Sequence, residues 1–171
     1  MNKFIQSALS LLIFAGTLIT FTHCNDDGPK KTPEQIQFDK LKKTWTIVSN
    51  VSGGATLDAT DRSSDFTGFT LTLGGTYNSA NPKGPYTFSV SGTRPTPSPW
   101  PASGSWFFGG DPEFQLIRDE NANGTSEATD LAMTYTLDST GKLSITFTCS
   151  GCNYPGSRTE LVDGVWTFVL Q

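Results

Sequence analysis

From position 44 to the end of the chain, apolar and polar residues alternate in short runs separated by clusters of Gly, Pro, Asn and Asp. Phe69, Leu71 and Leu73 oppose Thr70 and Thr72. Leu131, Met133, Tyr135 and Leu137 oppose Ala132, Thr134 and Thr136, and Leu143, Ile145 and Phe147 oppose Ser144, Thr146 and Thr148. A period of two sends successive side chains to opposite faces of a strand. The runs predict strands over 45–51, 69–73, 85–90, 105–108, 114–118, 131–137, 142–149 and 164–170. Eight strands with one greasy and one hydroxyl face, joined mostly by short connections, predict an all-β domain: an eight-stranded antiparallel up-and-down barrel. A two-sheet β-sandwich is the alternative.

The period changes upstream. Between 33 and 43, Ile36, Phe38 and Leu41 recur at near-helical spacing, with Thr32 placed as an N-cap, Pro33 at the first position and Glu34 next. This predicts a short helix. Before it, 25–33 is polar, with Lys30 and Lys31 between Pro29 and Pro33, and reads as a solvated tether. Earlier still, Met1-Asn2-Lys3 precedes an uncharged apolar run over 4–21 that ends near a cysteine and not at a cationic stop-transfer cluster. That pattern is a cleaved signal peptide in preference to a spanning helix.

Thr20-Phe21-Thr22-His23-Cys24 resembles the lipobox of bacterial lipoproteins, which implies that Cys24 is acylated and becomes the new N-terminus. Asn25-Asp26-Asp27-Gly28 is similar to the acidic stretch that directs Bacteroidota lipoproteins to the outer surface of the outer membrane; the periplasmic face is the alternative address. The expected organisation is a signal peptide over 1–23, a lipidated cysteine and tether over 24–33, and one domain over 34–171. The helix, a Trp at the start of the first strand in Lys43-Thr44-Trp45, and the eight strands resemble lipocalin-like domains. Trp100-Pro101-Ala102-Ser103-Gly104-Ser105-Trp106 is similar to a segment of lipocalin-like Bacteroidota lipoproteins and implies kinship without naming an activity.

Removing 23 of the 171 residues leaves 148, enough for a single core. One lysine leaves with them, so 11 basic against 16 acidic side chains give a charge of −5. An acidic surface with few clustered cations argues against nucleic acid, whose binding depends on Lys and Arg contacts to phosphate. The one histidine, His23, lies on the discarded side, which removes Ser-His-Asp and Cys-His catalysis and any zinc site that uses imidazole. The chain therefore reads as non-enzymatic. A carboxylate-based hydrolase stays as an alternative, because spacing does not show which acids meet in space.

Three candidate sites follow. Cys149-Ser150-Gly151-Cys152 ends a strand at a turn, and export to an oxidising compartment makes a Cys149–Cys152 disulfide the default. The segment 119–130 carries oxygen-bearing Asp119, Asn121, Asn123, Thr125, Glu127 and Asp130 at calcium-loop spacing, with Gly124 at the sixth position, so Ca2+ is the one cofactor suggested; an ordinary polar hairpin turning at Asn123-Gly124 is the other reading. In Arg94-Pro95-Thr96-Pro97-Ser98-Pro99-Trp100-Pro101 alternate residues lack a donor, which predicts a stiff extended loop with Trp100 at its tip, placed to stack on a sugar or cover an apolar ligand. Inward-facing Trp45, Phe69, Tyr86, Phe88, Tyr135 and Phe147 favour a packed interior over a deep pocket. Taken together, the sequence reads as a cell-surface lipoprotein binding a small apolar molecule or a glycan near Trp100. A structural or protein-interaction lipoprotein with a filled barrel is the alternative.

Overall fold

A computed structural model describes residues 30–48, 53–150 and 162–171. The compact unit runs from Lys31 to Gln171. Among the described residues the one α-helix, α1 (Pro33–Leu41), starts where Thr32 accepts the Gln35 N–H on its hydroxyl at 3.2 Å and Pro33 takes the first position. Phe38 and Leu41, one turn apart, are buried, and the Phe38 ring lies 4.5 Å from that of Tyr86. The chain leaves the helix directly into a strand, and the buried Trp45 indole donates back to the Leu41 carbonyl at 2.9 Å.

Ten strands follow among the described residues: β1 (Thr44–Thr46), β2 (Ala55–Leu57), β3 (Thr60–Asp61), β4 (Thr70–Gly74), β5 (Tyr86–Ser91), β6 (Ser103–Phe108), β7 (Gln115–Arg118), β8 (Leu131–Leu137), β9 (Leu143–Cys149) and β10 (Gly164–Leu170). They form one curled antiparallel sheet in the order β1-β4-β5-β6-β7-β8-β9-β10-β2-β3. A single sheet removes the two-sheet sandwich. The count is ten where alternation predicts eight, and the difference lies at the start of the chain. Of the predicted run 45–51, Trp45 and Thr46 pair with β4 and Ile47 bridges Leu170, while 49–51 lie outside the described residues. Gly54 lies beside Val48: a Cβ on Gly54 would lie 2.3 Å from the Val48 carbonyl oxygen.

The described residues on both sides of 49–52 pair with β10. Thr46 exchanges hydrogen bonds with Gln171 at 2.9 and 2.8 Å, Val48 donates to Val169, Val169 donates to Gly54, and β2 continues with Ala55 opposite Phe168. A short β2–β3 hairpin is the second departure from the expectation. Its turn residues Asp58 and Ala59 are both left-handed, at φ 47° and 65°. Such turns normally announce themselves with glycine at the second position, and alanine there hides the signal.

The remaining seven predicted runs coincide with β4 to β10. Register fixes the faces: Leu71, Leu73, Phe88, Val90, Met133, Tyr135, Leu143, Ile145 and Phe147 are buried, and apart from Gly74, Ala132 and Lys142 their chain neighbours are Ser and Thr. The outward positions Thr70, Thr72, Thr87, Ser89, Ser91, Thr134, Thr136, Ser144, Thr146 and Thr148 carry no charge. Several bond across strands, as Thr44 to Thr72 at 2.8 Å and Thr70 to Ser91 at 2.7 Å. Inside, Phe66, Phe69, Trp166 and Phe168 meet edge to face or stacked at 5.0–5.7 Å between centroids. Each fully buried side chain of this size contributes roughly 1.5–3 kcal/mol.

Two testable outcomes follow. Ala59→Gly relieves a left-handed alanine and is expected to raise stability by about 0.5–1 kcal/mol in chemical denaturation. The second concerns alkali. Burial pushes the Tyr86 hydroxyl up to about 12, with Tyr77 and Glu34 adding to the shift, and burial raises Tyr135 as well. Above pH 10 the unfolded chain ionises tyrosines that the folded chain keeps neutral, so the unfolded state binds fewer protons and stability falls as pH rises from about 10 toward 12. Ionisation followed by ultraviolet absorbance should show these tyrosines titrating only as the fold is lost.

Candidate functional site at the proline-rich loop

The connection between β5 and β6 is the loop on which the sequence placed a binding residue. Its base is fixed. Gly92 has φ +88°, and a Cβ there would sit 2.2 Å from the Gly68 carbonyl oxygen; Thr93 donates to Thr67, and Val90 donates to Ala102. Beyond the base, prolines at 95, 97, 99 and 101 leave little N–H to pair, and side chains hold the loop instead. Arg94 Nη1 donates to the Trp100 carbonyl at 2.9 Å, and the Ser98 hydroxyl accepts the Trp100 N–H at 3.2 Å.

Trp100 is not at an exposed tip. It is 1% exposed, with its ring edge-on to Phe88, Phe147 and Phe168 at 5.5–5.9 Å. The physical reason is that a loop unable to join the ladder gains most by returning its one large apolar side chain to the core. The outer surface of the loop, together with Trp100, lines an open cleft of about 380 Å³ that includes Arg94, Pro95, Pro97 and Ser98. A second cleft, of about 330 Å³, lies over β7, β8 and β9 and is lined by Gln115, Ile117, Ala132, Thr134 and Thr146.

Arg118 completes the loop's seat, and the sequence reading missed it. It is 1% exposed, its Nη1 donates to the Pro99 carbonyl at 2.7 Å, its Nε bonds the Glu120 carboxylate, and the guanidinium carbon stands 5.3 Å from the Trp100 ring centroid. A signal existed: Arg118 is two residues beyond buried Leu116 on β7 and so on the same inward face.

The segment 119–130 begins immediately afterwards. The Asp119 carboxylate accepts the N–H groups of Asn123 at 3.3 Å and Gly124 at 2.8 Å, and Asp130 accepts those of Glu120 at 3.1 Å and Glu127 at 2.7 Å. The Asn121 and Asn123 side-chain amides donate to the two Glu127 oxygens, and the Asn123 oxygen accepts the Thr125 N–H. The structure thus brings Asp119, Asn121, Asn123, Thr125, Glu127 and Asp130 into one loop, but as acceptors and donors for each other. Among the described residues no group of three or more acidic, His or Cys side chains is placed to hold a metal ion.

Asp61 and Asp138 are held below the usual carboxylate range, Asp61 first by the Ser63 hydroxyl and Asp138 first by the Thr140 hydroxyl. Both cap turns. Neither has the raised pKa that a general acid needs. Cys149 is buried at the end of β9, opposite Gly164. Its expected disulfide partner Cys152, and the expected lipidation site Cys24, lie outside the described residues.

Because Asp119 satisfies two loop N–H groups while itself 6% exposed, Asp119→Ala is expected to cost about 1–3 kcal/mol, read by denaturation, and to speed amide exchange at Asn123 and Gly124. No protein-family model, curated protein or solved structure matches the chain.

Proposed function

We propose that this chain is a non-enzymatic, lipid-anchored accessory domain with a lipocalin-like barrel whose interior is filled by its own side chains, and that it meets partners through its outer surface. The observation that carries this reading is the interior itself: Trp45, Trp100, Trp106 and Trp166 are each at most 1% exposed and share one cluster with Tyr86, Phe88, Phe108, Phe147 and Phe168. Such rings occupy the space that a lipocalin-type ligand would need. The uncharged hydroxyl face of the strands supports contact with another macromolecule, since it presents donors and acceptors without the desolvation cost of charge.

The hydrogen bonds that join 46–48 to 169–171 support an up-and-down barrel of eight strands, with β1 and β2 counted as one interrupted strand and β3 as a side hairpin. Acylation at Cys24 and an address on the outer face of the outer membrane rest on the lipobox-like segment and the acidic residues after it. One observation favours a second reading, binding of a small glycan or apolar molecule: the cleft of about 380 Å³ beside Arg94, Ser98 and Trp100 falls within the usual volume of small-ligand sites.

A native mass spectrum of the protein taken from the membrane fraction tests both readings. The filled-barrel reading expects an acylated chain beginning at Cys24 with no adduct that denaturation releases. A small-molecule adduct that denaturation releases and that is bound while Trp100 stays buried overturns it in favour of the second reading, and a chain that retains residues 1–23 without acylation overturns the anchor. The same spectrum after chelation reads the 119–130 loop, where a chelator-sensitive shift would make it a calcium site.

A further inference from the structure

Three of the four tryptophans stand on strands, and each ends in a hydrogen bond. Trp45 Nε1 donates to the Leu41 carbonyl at 2.9 Å, Trp106 Nε1 to Thr87 at 3.0 Å, and Trp166 Nε1 to Val162 at 2.7 Å. Trp100 is equally deep but comes from the β5–β6 loop, and among the described residues its Nε1 is the buried side-chain donor without a partner. We propose that Trp100 is a removable plug: the 94–101 segment lifts its indole out of the seat between Phe88, Phe147 and Phe168, and an amphipathic anion with an apolar ring or chain takes that seat beneath Arg118.

Four observations carry this. A buried N–H without an acceptor has lost its bond to water and received nothing in exchange, a deficit that lifting the indole into solvent removes. The alternate prolines make 94–101 a stiff unit, so the indole and the carbonyls beside it move together. The base of the loop is pinned by Thr93 to Thr67 and by Val90 to Ala102, which confines the movement to the segment between. The open cleft of about 380 Å³ beside the segment leaves it room.

The ligand class comes from what the plug leaves behind. The three Phe rings make an apolar nest of indole size. Arg118, 1% exposed, loses the Pro99 oxygen and the indole face together and keeps Glu120 and the face of Phe147, whose ring centroid lies 5.6 Å from the guanidinium carbon. A buried cation deprived of an acceptor calls for another, and an anionic oxygen on an apolar body supplies it. This goes beyond the filled-barrel reading, because it makes one of the filling side chains a movable part.

The test uses the full-length protein labelled with 5-fluorotryptophan, the Trp100 resonance assigned through Trp100→Phe, and 1-anilinonaphthalene-8-sulfonate as the probe. On saturation the Trp100 resonance is expected to move alone and to acquire a water-to-deuterium-oxide isotope shift, while those of Trp45, Trp106 and Trp166 stay in place. Trp100→Phe seats a ring without the orphan donor, and should bind the probe about fivefold more weakly, the factor that roughly 1 kcal/mol supplies. A Trp100 resonance that the probe leaves unmoved, or one that moves only together with the other three as in global unfolding, overturns the proposal without recourse to the variant's affinity.

Discussion

The hydrogen bonds between residues 46–48 and 169–171 set the terms for everything else, because they join the first strand to the last and bend ten strands around one interior. A flat sheet of these sequences would expose its apolar face. Once the edges meet, the alternation of each strand sorts itself, with rings inward and hydroxyls outward. The contacts that close the curl are the most distant in sequence, so their loop-closure cost falls due before the core can reward it. The aromatic cluster, with Phe168 touching Phe66, Phe69, Trp100, Phe147 and Trp166, is what makes that closure favourable.

Much of this was legible because a period of two is a strong signal when one face is wholly apolar. Seven runs were found within a few residues of their ends, and Thr32 capped its helix as its position suggested. What was not legible depended on tertiary context. Beyond Val48 the predicted first run lies outside the described residues, and no local pattern marks that Ala55–Leu57 pairs with a strand more than a hundred residues away. The β2–β3 turn was concealed by Ala59 standing where glycine is the usual clue.

The site was read less well than the fold. Trp100 stands on a proline-rich loop as expected but is turned inward where a projecting tip is predicted: stiffness suggests projection, while burial decides direction. Arg118 went unnoticed because a charge on a strand is ordinarily read as outward, although its spacing from Leu116 says otherwise. Its guanidinium and the Pro99 carbonyl form the polar joint between loop and sheet, with Glu120 balancing the charge. The 119–130 loop matched the spacing of an ion-binding loop, yet its oxygens have work with N–H groups of the same loop, and spacing cannot distinguish these uses.

The closeness of Val48 to Gly54 has a consequence for engineering. Both bond to Val169 of β10, so the positions that flank 49–53 are held by a strand distant from them in sequence. Loop-closure entropy grows only with the logarithm of added length. A peptide epitope spliced in between them would therefore be offered from two fixed posts. The curled sheet supplies a display frame in which foreign sequence can be lengthened with little penalty to the ladder on either side.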